Sequence, residues 1–342
     1  MTIQLEPALI SGGHAISDTA LMLHAVPDKL NVEEYDFTRV FYLNLNPAAP
    51  KEWAHQDWLD ASVVSTCDIK NGPAGMPAGC ELSNHGLVKI HNSYGTEIEQ
   101  IPGAGLIADD GRGELTCMRR IGKKLFACGI NAQVYKRDEG RWHSIGGKMG
   151  EKVTTLLERR SAIIKAGEYS TRSDEISDIM DQIPYFIFIN GIAEDDIYVT
   201  GSRNTIYHFD GTEWERVLSD TEASLSDIHP ISKDEIYITG FEGTLLKGNA
   251  KEGFRSIVDP LSSYLNFLFI RKFQDKVYVG NDDGLFQLQG DRIVKVDEYP
   301  GKQVRILDSV SDNILWLACA RHAYRFDGID FHVHEHPDNI GL

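Results

Sequence analysis

The sequence predicts an all-β fold, a β-propeller, from three observations. One phrase recurs: DIYVTGSRNTIYHFDG at 196–211 and NILWLACARHAYRFDG at 313–328, with EIYITGFEGTLLKGN (235–249) and KVYVGNDDGLFQLQG (276–290) between them. The glycines that close the first apolar run, Gly201, Gly240 and Gly280, with Ala318 in the fourth place, lie 39, 40 and 38 residues apart. Each unit resolves into short runs of branched and aromatic residues separated by turn residues. A period near 40 with several strands per unit is the signature of a propeller.

One unit shows why. Ile197-Tyr198-Val199-Thr200 is rich in residues that favour a pleated strand and ends at Gly201. Ser202-Arg203-Asn204 turn the chain, and Thr205–Phe209 form the next strand. Asp210-Gly211 is a hairpin signal, because both residues tolerate positive φ. Trp214–Val217 begin the outer strand. The innermost strand precedes these: Phe186–Ile189, then Leu225–Ile228, then Phe267–Ile270, near-continuous apolar runs that fit strands buried on both faces. A single blade cannot bury its two faces; a ring of blades can.

Upstream, residues 124–142 align without gaps on 196–214, with Gly129 on Gly201 and Trp142 on Trp214. CELSNHGLVKI (80–90) resembles the unit around Gly280. Residues 8–16, 20–26 and 39–45 read as strands outside the legible repeat. Without an insertion of about 33 residues, some 309 remain, which at about 40–45 residues per blade predicts one domain of seven four-stranded blades, with six or eight as alternatives.

The insertion falls at 149–184. Ser173-Asp174-Glu175 read as a helix start, followed by Ile176, Ile179, Met180 and Ile183 at helical spacing and stopped by Pro184. Leu156-Leu157 and Ala162-Ile163-Ile164 read as a second helix ending at Gly167, or as two strands of a degenerate blade. The segment joins an outer strand to the next inner strand. Such connections lie on the face that propellers commonly use for binding, so it is a candidate recognition element or a lid. Its charged residues Arg159, Arg160, Asp174, Glu175 and Asp178 are the candidate partner contacts.

With 51 acidic and 34 basic residues the net charge is −17, which argues against binding a phosphate backbone and suits a basic partner. The start, MTIQLEPALISGGHAI, lacks the basic and apolar regions of a signal peptide. No apolar run is long enough to span a membrane. Cys67, Cys80, Cys117, Cys128 and Cys319 are odd in number and scattered. Reduced buried thiols and a cytoplasmic protein are expected, a Cys117–Cys128 bridge being the alternative.

Little in the chain announces chemistry. His332, His334 and His336 share one face of a strand and are the candidate metal ligands. They follow Asp327-Gly328, so an exposed outermost strand is the expected role, and neither metal nor cofactor is predicted. Asn281-Asp282-Asp283-Gly284 and Glu194-Asp195-Asp196 read as turns. Arg119-Arg120 and Lys123-Lys124 read as a solvated basic turn. GxSxG, GxxxxGK[ST] and HExxH are absent.

The unit D-I-Y-V-T-G…T-I-Y-H-F-D-G-T-E-W resembles a repeat of bacterial propellers, D-x-W-x-V-G…G-x-I-x-H-W-D-G-T-x-W. Tyr198 and Phe209 replace two of its tryptophans and Trp214 keeps the last. The resemblance covers roughly 113–148 and 186–335 and implies a repeat type, not an activity. The WD40 pairing and the sialidase box are missing.

The expected function is non-catalytic protein binding, in concrete form an immunity-type inhibitor that caps a basic toxin or effector through the top face and the 149–184 insertion. The alternative is a carbohydrate-binding or carbohydrate-active propeller, with Tyr198, Tyr207, Tyr237, Tyr278 and Tyr324 as stacking residues unless they pack the blades.

Overall fold

Seven four-stranded antiparallel sheets make up the chain, each formed from four consecutive strands. The computed structural model describes residues 6–31, 34–69, 79–92, 95–105, 111–258 and 264–341. Blade 1 contains β1 (Ala8–Ser17), β2 (Ala20–Pro27), β3 (Phe37–Asn44) and β4 (Trp53–Leu59). Blade 2 contains β5 (Val63–Asp68), β6 (Gly79–Ser83), β7 (Leu87–Asn92) and β8 (Gly95–Gln100). In blade 3 they are β9 (Leu115–Ile121), β10 (Lys124–Gly129), β11 (Gln133–Asp138) and β12 (Arg141–Ser144). Two helices follow, α1 (Gly147–Lys165) and α2 (Ser173–Asp181). Blade 4 has β13 (Phe186–Ala193), β14 (Asp196–Gly201), β15 (Thr205–Phe209) and β16 (Trp214–Arg216). Blade 5 has β17 (Leu225–Ser232), β18 (Glu235–Gly240), β19 (Leu245–Asn249) and β20 (Gly253–Ser256). Blade 6 has β21 (Phe269–Phe273), β22 (Lys276–Asn281), β23 (Gly284–Gln289) and β24 (Arg292–Lys295). Blade 7 has β25 (Ile306–Asp308), β26 (Leu315–Ala318), β27 (His322–Phe326) and β28 (Phe331–Glu335).

The count of seven and the helical insertion agree with the sequence. Residues 8–16, 20–26 and 39–45 are the first three strands of blade 1, where repeat identity has faded but strand character has not. The segment around Leu156 and Ile163 is helix, not a degenerate blade.

The core is divided into wedges between blades. One apolar cluster lies at each of the seven interfaces, from Trp316 against Leu21 at blades 7 and 1 to Phe254 against Tyr198 at blades 4 and 5. The repeated glycine has a packing cause. A Cβ on Gly201 would stand 1.9 Å from the Tyr185 carbonyl oxygen, and one on Gly240 2.5 Å from that of Ser224. In both blades the inner strand bulges at this point. Blade 7 has no bulge there and accommodates Ala318. The repeated Asp-Gly turn is likewise local: Asp210 Oδ1 accepts from the Thr212 and Glu213 amides, and Asp327 Oδ1 from those of Ile329 and Asp330.

Among the described residues no strand is exchanged between the first and last blades; one backbone bond, Ile10 N to Ala320 O (2.9 Å), and several side chains close the ring. Asn339, fully buried, accepts from Ala8 N (2.9 Å) and donates to the Ala8 and Arg321 carbonyls (3.0 and 3.2 Å). Trp316 Nε1 donates to Ser17 O (2.8 Å), and Arg39 pairs with Asp338 (3.0 Å).

Two substitutions test this account by urea unfolding. Gly201→Ala should lose about 1–3 kcal/mol through overpacking against Tyr185. Asn339→Ala should lose about 2–4 kcal/mol by orphaning three backbone groups at the seam. A loss below about 0.5 kcal/mol for either would refute its mechanism.

Candidate functional site

Inner strands start, and outer strands end, on one face of the ring. That loop face carries α1 and α2 between blades 3 and 4. Val153 of α1 is buried with Phe126, Val134 and Phe186, and Ile163 with Ile176 and Ile179 of α2. Trp214 Nε1 donates to Ile145 O (2.8 Å) and Ala132 N to Pro184 O (3.0 Å), tying both ends of the insertion to the blades.

Among the described residues, several large apolar side chains stay exposed on this face: Tyr35, Leu59, Tyr185, Leu218 (77%), Phe241 and Tyr264 (81%). Ile231, Val310 and Ile329 are their sparser counterparts on the opposite face. Exposed acids surround the patch over blades 4 to 6: Asp220, Glu222, Glu242, Asp282 and Asp283. Beside them a cleft of about 410 Å³ separates the end of α2 from blade 4, lined by Met180, Tyr185, Arg203, Tyr207 and Arg216 among others.

The five candidate contacts divide. Asp174 and Asp178 are exposed on α2. Arg159 and Glu175 face each other across the helix pair (2.5 Å), and Arg172 joins the same carboxylate (2.6 Å). These hydrogen bonds, from Arg172 first and then Arg159, hold the Glu175 carboxyl below its usual range. Arg160 is half-buried and its Nε has no acceptor.

The histidine cluster is not brought together. On β28, His332 is exposed and faces Asp327 (3.7 Å), while His334 lies near Glu52 (3.7 Å) and the Trp316 ring. His336 is buried on Phe41 with ring centroids 3.8 Å apart, near His55 and Asp338. Its Nδ1 accepts from Asp338 N (3.0 Å) and Asp338 binds Arg39, so both groups serve the seam.

The second concentration of polar groups lies on the axis, where apolar inner strands were expected. Asp227, Arg271, Asp308, His14, Asp68 and Arg120 form a chain of alternating charge across six blades. Arg271 bridges Asp227 and Asp308 (2.8 Å each), His14 bridges Asp308 and Asp68 (2.6 and 3.5 Å), and Arg120 holds Asp68 (2.5 Å). The 2.6 Å contact is an ion pair by distance that lies off the line of a hydrogen bond. In blade 4, Asn190 donates to Ile228 O (3.0 Å). Arg119 and Arg120 thus belong to inner strand β9 and not to a solvated turn, a correction that follows from Arg119 pairing with Phe126 on β10. A signal was present: Arg119, Asn190, His229, Arg271 and Asp308 each sit opposite an aromatic residue of the second strand.

Burial pushes Asp308 up, but the charges of His14 and Arg271 outweigh it and hold the carboxyl well below its usual range. Burial holds Asp227 above it despite Arg271. Both carboxylates are engaged by cations. Tyr198, Tyr237, Tyr278 and Tyr324 are buried between blades, and Tyr207 packs edge-on against Phe186 (5.8 Å). The residues suggested for sugar stacking therefore pack the blades. All five cysteines are buried free thiols, with Cys117 directly opposite Cys128. Among the described residues no helix is long and apolar enough to cross a membrane.

No protein-family model matches the chain. It is 27% identical, over 251 residues covering 72% of each protein, to the immune protein Tsi7 of Pseudomonas aeruginosa strain PAO1. Among solved structures it is similar to YCF48 bound to D1 peptide (TM-score 0.60, 12% identity) and to the WD40 β-propeller domain of Doa1 (TM-score 0.58, 7% identity), each over 93% of both chains. At these identities the structural likeness establishes the propeller fold.

The axial chain predicts a pH dependence. Burial lowers the pKa of His14, but Asp308 and Asp68 outweigh it and raise it to about 9. A folded-state value above the ordinary 6.5 means the stabilisation is complete below pH 6.5 and is lost as pH rises through about 9. The stability difference between the parent and His14→Gln should shrink across that window in urea titrations; a constant difference would exclude a buried imidazolium.

Proposed function

We propose that the protein is a non-catalytic protein-binding propeller of the cytoplasm, an immunity-type inhibitor that caps a basic toxin or effector. The loop face of blades 4 to 6 and the adjoining α2 form the docking surface. One observation carries this reading: exposed Tyr185, Leu218, Phe241 and Tyr264 share that face with Asp220, Glu222, Glu242, Asp282 and Asp283. Aromatic anchors inside a charged rim are how protein interfaces divide affinity from specificity. Single exposed apolar residues are ordinary; a group on one face marks an interaction surface. The acidic rim and the net charge of −17 select a basic partner and speed its encounter. The similarity to the immune protein Tsi7 supports the same reading. The repeat type named above is proposed as the scaffold on which this surface is carried.

The chain, tagged and purified from its native host, should retain a basic protein identified by mass spectrometry. Phe241→Ala and Tyr264→Ala should each weaken that complex by about thirtyfold or more, the scale of an interface anchor. Asp282→Asn with Asp283→Asn should instead slow association and flatten its salt dependence. Asp174→Lys with Asp178→Lys tests α2 in the same assay. Full binding by all of these variants would refute the assigned face.

A further inference from the structure

The channel on the axis holds a part-open cavity of about 130 Å³, room for several waters. Its wall includes Ser11, His24, Thr66, Thr116 and Arg119, with Arg305 at the part-exposed mouth. Charge there is unevenly matched. Asp227, Asp308 and Asp68 are each paired with a cation of the axial chain, and Arg305 reaches Asp282 at 3.4 Å. Among the described residues, no carboxylate lies within ion-pair distance of Arg119.

Arg119 NH1 is occupied by backbone, donating to Met118 O (3.1 Å) and Thr66 O (3.3 Å). Its Nε–H is buried with no acceptor, and so is the Thr66 hydroxyl, on a residue only 1% exposed. The guanidinium lies 4.6 Å from the Phe188 ring, a contact that does not neutralise it. His24 offers no negative charge: burial first, and then the Arg119 charge, lower its pKa to about 4. Arg119 as a whole is half-buried and its charge reaches Asp227 and Asp308 only beyond ion-pair distance, but an N–H shut off from water without an acceptor carries the cost of an unmade hydrogen bond. In a chain of net charge −17 a surplus cation on the axis does not follow from composition.

We propose that this cavity is a binding site for a small oxyanion, a carboxylate or phosphate, held by Arg119 with Thr66. A guanidinium presents a fork of N–H donors that matches such oxygens, and charge-assisted hydrogen bonds strengthen where water is excluded. The Thr66 hydroxyl supplies a neutral donor beside it, whereas the Thr116 hydroxyl is already given to Phe186 O (3.1 Å) and only lines the wall. The site is independent of the loop-face docking surface, and either can fail alone.

Inorganic phosphate and acetate are titrated separately into the full chain by calorimetry and thermal melting, against sodium chloride at equal ionic strength. At least one should bind saturably, one per chain, and raise the melting temperature where chloride does not; which one responds identifies the class. Arg119→Met should weaken binding by about tenfold or more, and the isosteric Thr66→Val by a smaller factor. Absence of saturable binding by both anions, or affinity unchanged in Arg119→Met, would overturn the site. Should Arg119→Met not fold, unchanged affinity in Thr66→Val has the same force.

Discussion

The inner strand of every blade is an open sheet edge, and a protein built from seven such edges must satisfy them around one axis. Here five of the edges are answered by side chains from the inner strand of the blade before. Ser65 of blade 2 accepts from Met118 N, Thr116 of blade 3 donates to Phe186 O, and Asn190 of blade 4 donates to Ile228 O. Asp227 accepts from Ile270 N, and Asp308 from Ala15 N. At these five interfaces the pattern runs in one direction around the ring, each blade capping its successor.

That constraint explains why an otherwise apolar scaffold has a charged axis. Aspartates that accept backbone amides in a buried place need cations, and Arg271, His14 and Arg120 supply them from neighbouring blades. The chain of charge also crosses the seam between blades 7 and 1, through Asp308 and His14. Removing one member would leave a buried charge unpaired, whereas a matched apolar replacement of a whole pair need not destabilise. The axial polarity therefore specifies register and closure as much as it stabilises. Arg119 is the exception: it serves backbone carbonyls, and among the described residues no carboxylate lies within ion-pair distance of it.

With the core divided into interblade wedges, the loop face is free to vary. Its apolar residues sit on connections whose backbone is already secured, as at Tyr185, where the carbonyl accepts from Ser202 N. The helix pair packs its own small core on blades 3 and 4 and presents Asp174 and Asp178 outward. Scaffold and loop face can thus change independently, a familiar division in propellers.

The blade, its turns and the break at 149–184 were legible in the chain because each is set by residues near one another in sequence. Gly201, Asp210 and Trp214 act within one hairpin or on the segment beside it. Even blade 1, without a readable repeat, showed its first three strands. The inner strands were placed, but their axial polar residues were missed because apolar content was weighed without asking where their open edges would find partners. His332, His334 and His336 share a periodicity but meet different neighbours, Asp327, Glu52 and Phe41. From sequence alone came a propeller with seven blades expected, six or eight left open, and a break at 149–184 with one clear helix, because strand period and turn chemistry are local. Only the tertiary structure decided which charges meet on the axis and on which face the exposed aromatics gather, because closing the ring joins residues as distant as His14 and Asp308.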